Sequence, residues 1–145
     1  ENAAHAVSYF AKLNDTDPRT EAVSWIKDNI ASGQTVFIES FPPPISESDS
    51  LNLIEADLMR KTTETTESLE KLLKTCDCSY YISDDFTRQV FDWEYTKQHY
   101  PKISQDRKNF FYWLEQNSTP IRLFNSEHPL LQPTVKIYKF DKSEQ

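Results

Sequence analysis

The stretch Asp17-Pro18-Arg19-Thr20-Glu21-Ala22-Val23-Ser24-Trp25-Ile26-Lys27-Asp28-Asn29-Ile30-Ala31-Ser32-Gly33-Gln34-Thr35-Val36-Phe37-Ile38-Glu39 decides the fold class. Ala22, Val23, Ile26 and Ile30 recur at the spacing of one helix face. Asp17 is a good N-cap, Pro18 suits the first helical position because its missing N–H is not needed there, and Glu21 favours the positive end of the helix dipole. Gly33 falls where a left-handed residue is wanted at the helix C-cap. Thr-Val-Phe-Ile-Glu at 35–39 is β-branched and apolar, the signature of a short buried strand. Helix, glycine turn and strand form one unit of an open α/β layer.

The same alternation continues downstream. Ser-Tyr-Tyr-Ile-Ser at 79–83 reads as a second strand, and Asp84 or Asp85 caps a helix over about 85–98 carrying Phe86, Val90, Phe91 and Trp93. Tyr100-Pro101 ends that helix, and Ser104 or Gln105 opens another up to Gln116 with Phe110, Phe111, Trp113 and Leu114 inside. Residues 120–125 and 134–140 read as strands separated by a proline-bounded loop, paired as a hairpin at one sheet edge. Between the first two strands, Pro42-Pro43-Pro44 makes a rigid turn. Residues 51–74 read as helix, with Leu51, Ile54, Leu58, Leu69, Leu72 and Leu73 on its apolar face. Thr62, Thr63, Thr65 and Thr66 weaken it, so a break or bend is expected within 61–68. The expected architecture is α/β: an open, mostly parallel sheet of about four strands, helices on both faces, and a C-terminal antiparallel edge hairpin. One soluble domain is expected over residues 1–145.

Composition narrows the functions available. The chain has 145 residues, net charge −7 and a pI near 4.9. Such a field repels phosphate backbones, and no basic stripe is interleaved with aromatics, so nucleic acid is not an expected partner. No apolar run reaches the roughly 18 residues that a membrane span needs. The chain opens on Glu1, which leads us to expect a processed product or a fragment. It contains one glycine where average usage would give roughly ten. A phosphate-binding loop, a dinucleotide fingerprint and a nucleophile elbow all need more than one. No cofactor is therefore expected. Cys76 and Cys78 are too close in sequence for an unstrained disulfide and are expected as small, partly buried residues just before a strand, with a Cys-x-Cys hydrolase or redox site as the alternative. His5, His99 and His128 show no ligand spacing, so no metal site is expected from them.

The candidate chemistry lies at strand ends. Ligands of open α/β sheets bind beyond the carboxyl ends of the strands. Glu39 and Ser40 end the first strand; Ser83, Asp84 and Asp85 end the second. If the two strands are parallel neighbours, these five residues converge on a site able to hold a sugar or a divalent metal. Helix capping by Asp84 or Asp85 is the alternative. No catalytic Ser/His/Asp set stands out. Asn14-Asp15-Thr16 and Asn117-Ser118-Thr119 match glycosylation acceptors.

Several segments, taken in order, carry a resemblance. Residues 17–30 are similar to the D-x-R-x-x-A-x-x-W-I-x-x-N-I-P-x-G segment that follows the last transmembrane helix of many prokaryotic multi-pass GT-C glycosyltransferases, the relatives of dolichyl-phosphate-mannose protein mannosyltransferases. Gly33 and Val36-Phe37-Ile38-Glu39 resemble their glycine and I-x-x-E strand. Cys78-Ser79-Tyr80-Tyr81-Ile82-Ser83 resembles the y-D-Y-V-I-x-S-S strand, with serine for the aspartate. Phe110-Phe111-Tyr112-Trp113-Leu114 looks like the F-Y-x-x-L helix, and Pro133-Thr134-Val135-Lys136-Ile137-Tyr138-Lys139-Phe140 looks like the closing G-P-x-I-x-I-Y-K strand. Ala31 replaces the usual proline and Gln132 the closing glycine.

In that family the catalytic acidic residues lie in the transmembrane part, and none has a counterpart here. The resemblance therefore implies an extracytoplasmic, membrane-tethered accessory domain. Its partners would be the transmembrane part of its own parent chain and a glycan or protein acceptor. The alternatives are a free-standing binding or protein-interaction domain, or a small metal-dependent enzyme using Glu39, Asp84 and Asp85. The enzyme reading requires those carboxylates to lie within about 8 Å of one another.

Overall fold

The computed structural model describes residues 17–40, 42–46, 50–56, 58–59, 65–125 and 133–140. Helix α1 spans Pro18–Asn29, and the Asp17 carboxylate accepts the Arg19 N–H at 2.9 Å while pairing with its guanidinium at 2.6 Å. The helix ends through an extended Ile30, not through Gly33. The left-handed residue is used one turn later. Gln34 N–H bonds Ala31 O at 3.2 Å, and Gly33, third in that turn, has φ +82°. That position of a tight turn favours glycine because a Cβ strains a positive φ. Strand β1, Thr35–Ile38, follows directly.

The next element departs from the sequence reading. Residues 52–55 are not helical; they form β2, Asn52–Glu55, paired in parallel with β1 from Thr35↔Asn52 to Ile38↔Glu55. An apolar run this short carries no usable periodicity, and the open edge of β1 offers backbone partners that outweigh local propensity. The helix of this region is α2, confined to Thr66–Thr75. It starts at a capping box in which Thr65 and Ser68 satisfy each other's backbone N–H. The expected break within 61–68 falls largely outside the described residues, as do the first glycosylation acceptor and the charged tail.

Strand β3 is Tyr80–Asp84. The expected helix over 85–98 is two: α3, Asp85–Asp92, and α4, Glu94–His99, parted by Trp93 with φ −60° and ψ 139°. The carbonyl of Phe91, freed at that break, accepts the buried Ser104 hydroxyl at 2.6 Å. Helix α5, Pro101–Asn117, starts earlier than read, because Pro101 opens it as a first-turn residue instead of merely ending α4. Strands β4, Ser118–Phe124, and β5, Val135–Phe140, form the antiparallel pair, with a bulge between Pro120 and Arg122.

The sheet is five-stranded and open, in the order β2-β1-β3-β5-β4. Its core pairs β2-β1 and β1-β3 are parallel, and β3-β5 and β5-β4 are antiparallel. Alternation along β1 sorts the core into two layers. Val36 and Ile38 join Ile82, Val135 and Ile137 beneath Ala22 and Ile26 of α1 and Ile30 at its C-cap. Phe37 joins Tyr81 and Tyr138 beneath Leu69, Leu73, Phe91, Phe110 and Leu114 of the other helices. Helices thus cover both faces.

The cysteines also depart from expectation. Cys76 and Cys78 are joined by a disulfide. Asp77 adopts a left-handed backbone with φ 52°, and the two Cα atoms stand 5.1 Å apart, within the range a disulfide spans. Among the described residues no helix is long and apolar enough to cross a membrane.

Candidate functional site

The carboxyl ends of β1 and β3 lie side by side, with Ile38 paired to Ile82. The chain leaves β1 toward β2 on one side and returns to β3 on the other, so this is the point where an open α/β sheet forms a crevice. Of the five candidate residues, Glu39 and Asp84 meet directly. Glu39 is fully buried and Asp84 is 1% exposed. The Asp84 N–H donates to Glu39 Oε2 at 3.0 Å, and the Tyr81 hydroxyl donates to Oε1 at 2.6 Å. Tyr81 reaches it because it stacks on Phe37, its register partner and the residue two before Glu39. The Asp84 carboxylate caps α3: Oδ1 accepts the Thr87 N–H at 2.7 Å and Oδ2 the Thr87 hydroxyl at 2.8 Å.

Burial dominates the electrostatics. Desolvation, and then the nearby Asp84 charge, pushes the Glu39 pKa up to about 8 against the opposing influence of Arg88 and Tyr81. Burial also raises Asp84, although the hydrogen bonds from Thr87 hold it back. The same desolvation, reinforced by Glu39, lifts the Tyr81 phenol well above its ordinary value. Glu39 is therefore a largely neutral acid at pH 7 beside a second buried carboxyl.

The other three candidates are placed less centrally. Ser83 is buried and its hydroxyl accepts from Arg88 Nε at 3.1 Å. Asp85 lies one residue further into α3. Its backbone N–H bonds Thr134 O at 3.1 Å, and its Oδ1 is the one buried side-chain oxygen among the described residues without a hydrogen bond. Burial raises its pKa, against hydrogen bonding with Thr134. Ser40 turns toward the following loop, where its hydroxyl accepts the Met59 N–H at 3.4 Å.

Arg88 completes the cluster, and sequence reasoning missed it. Besides Ser83 it reaches Glu115 Oε1 and the Tyr138 hydroxyl, each at 2.8 Å, with its guanidinium 4.6 Å from the centre of the Phe111 ring. Burial works to lower its pKa, but the charge of Glu39 and the partners around it outweigh that and hold it above the ordinary value. Tyr81, Thr87 and Tyr138 were likewise read only as strand or helix residues. The available signal was an arginine one helical turn after a strand-end Ser-Asp-Asp, a position from which a long cation can fold back over the strand ends.

A neutral acid beside a second carboxyl group is an arrangement acid–base chemistry uses. Here both groups are closed off from solvent and engaged by the chain's own donors. Among the described residues no group of three or more His, Cys, Asp or Glu is arranged to hold a metal ion. Open surface lies elsewhere. Trp93, Tyr95 and Tyr100 are 47%, 64% and 54% exposed. Tyr100 directly precedes a shallow cleft of about 430 Å³ on α5 lined by Pro101, Lys102, Gln105, Asp106 and Asn109. Asn117, the acceptor of the second glycosylation motif, is exposed at the end of α5, where its amide donates to Trp113 O at 2.8 Å. Comparison with family models, with curated proteins and with solved structures returned no match.

Proposed function

We propose that this chain is a non-catalytic accessory domain of a membrane glycosyltransferase, held on the extracytoplasmic side by the transmembrane part of its own parent chain, where it binds or orients the acceptor. The observation that carries the non-catalytic half is that the strand-end carboxyls of Glu39 and Asp84 are both buried and taken up by the chain's own hydrogen bonds, from Tyr81 and the Asp84 N–H to Glu39 and from Thr87 to Asp84. The glycosyltransferase half rests on the ordered segments at 17–39, 78–83, 110–114 and 133–140. Under this reading the acceptor surface draws on the exposed aromatics flanking and within α4, Trp93, Tyr95 and Tyr100, and on the α5 cleft that Tyr100 directly precedes. Exposed aromatic rings offer flat apolar area with polar tips, and amides and charges line the cleft, a combination suited to glycans and polar peptides.

The test begins with the native reading frame upstream of Glu1. Several apolar segments of about 20 residues are expected there; a frame without them overturns the membrane assignment. In the full enzyme, Tyr95→Ala with Tyr100→Ala is expected to raise KM for the acceptor and leave donor hydrolysis unchanged. Unchanged acceptor kinetics would remove these exposed tyrosines from the proposal.

A further inference from the structure

We propose that the Cys76–Cys78 disulfide is a thiol–disulfide exchange site that takes two electrons from an accessible dithiol. This inference is independent of the glycosyltransferase reading. A disulfide stabilises a fold mainly by removing entropy from the unfolded chain, and the effect grows with the length of the closed loop. Here the cysteines are only two positions apart, so the loop holds a single intervening residue and the bond gives the fold little. The intervening Asp77 stands just past the α2 C-cap with φ 52°, a left-handed conformation common at that position, so the helix ending itself brings the two cysteines together. Weakly stabilising disulfides of this kind are the readily reduced ones, in contrast to those that staple long loops.

The two cysteines meet the same apolar cluster at different depths. Cys76 is the C-cap of α2 and half-buried, with its sulfur 3.5 Å from Leu73 O. Cys78 is 4% exposed within the apolar cluster of Leu69, Leu73 and Tyr81. An incoming thiolate is therefore directed to Cys76, while Cys78 serves as the internal partner that re-forms the bond. The buried position also accommodates the reduced state, because a free cysteine thiol behaves as a small hydrophobe. Opening the bond thus leaves the core packed.

The exchange proceeds in two displacements. A thiolate of the dithiol attacks Cys76 Sγ; a mixed disulfide forms, the Cys76–Cys78 bond breaks, and its electron pair leaves on Cys78 Sγ, which takes up a proton. The second thiolate of the dithiol then attacks its own mixed-disulfide sulfur, closing the reductant's disulfide and releasing Cys76 Sγ, which is protonated in turn. Two electrons and two protons pass from the dithiol to the cysteine pair.

The experiment uses the 145-residue chain with dithiothreitol as the small dithiol, following free thiols by alkylation and mass measurement. Reduction of the native chain is expected at no less than about one tenth of the rate in concentrated urea, since Cys76 is only partly buried. The reduced chain is expected to retain cooperative thermal unfolding. Slower native reduction, or a reduced chain without a cooperative transition, would mark the bond as a structural staple and overturn the proposal. Glutathione adducts give the second readout. The adduct at Cys76 in Cys78→Ser is expected to exceed the adduct at Cys78 in Cys76→Ser by about tenfold or more under the same oxidised glutathione. Equal adducts would overturn the assigned direction of attack.

Discussion

Replacing Glu39 by glutamine is expected to flatten the pH dependence of stability. In the unfolded chain this carboxyl titrates near 4.5, and in the fold near 8. Below pH 4.5 it is neutral in both states and contributes no slope. Between the two values the unfolded chain releases its proton while the folded chain keeps it, so the unfolded state binds fewer protons and stability falls as pH rises. Above about 8 both states are ionised and the curve levels. The full span is worth about 5 kcal/mol. With an m-value of about 2 kcal/mol per molar urea, it moves the wild-type midpoint down by roughly 2 M between pH 4.5 and pH 8.5.

Glutamine stays neutral throughout and retains both contacts. Its oxygen accepts the Asp84 N–H, and its amide donates to the Tyr81 hydroxyl oxygen. The burial-raised pKa of Asp84 gives a slope of the same sign at lower pH, which the variant keeps. The assay is urea unfolding from pH 4.5 to 9 on both proteins. The variant is expected to match the wild type at pH 4.5 and exceed it increasingly toward pH 8. Two parallel curves, or a wild-type midpoint that rises across the window, would refute the buried-acid reasoning.

Three further substitutions probe separate parts of the fold. Arg88→Ala strips Ser83, Glu115 and Tyr138 of a shared donor and removes the cation that acts on the buried Glu39; urea unfolding at pH 7 should register a loss of about 3 kcal/mol. Gly33→Ala meets no atom within 4 Å, so only backbone strain at φ +82° is felt, and thermal unfolding should show a loss of about 1 kcal/mol. Thr65→Ala removes the α2 capping box and should cost about 1 kcal/mol in the same assay, with α2 amides exchanging faster with solvent.

The elements written into local sequence were those with both a periodic face and a terminal signal. α1 had Asp17, Pro18 and a spaced apolar face, and β1 and β3 were short β-branched or aromatic runs with polar ends. β2 was not legible, because Leu53 and Ile54 fit a helix face as well as a strand and only the vacant edge of β1 decides between them. The split at Trp93 depends on a hydroxyl thirteen residues away from the carbonyl it satisfies, Ser104 on Phe91, which no local window contains. The site was legible to the same depth. Strand-end polarity brought Glu39, Ser83 and Asp84 forward. That Glu39 would be sealed beneath Tyr81, and that Arg88 would fold back on Ser83, follows from register and packing between distant segments.

The outer strand carries one more consequence. Residues 119–123 of β4 are exposed, and among the described residues β4 pairs with β5 alone, which makes it an outer strand of the sheet. Such an edge is a template on which further chains can stack into fibrils. Pro120 brings no backbone donor to this strand, the bulge before Arg122 spoils its straightness, and Arg122 places a charge along it. Because Ile121 and Leu123 are at the same time surface-exposed and apolar, these three neighbouring features act as gatekeepers: they keep a concentrated solution of this acidic chain from growing end to end, sheet upon sheet.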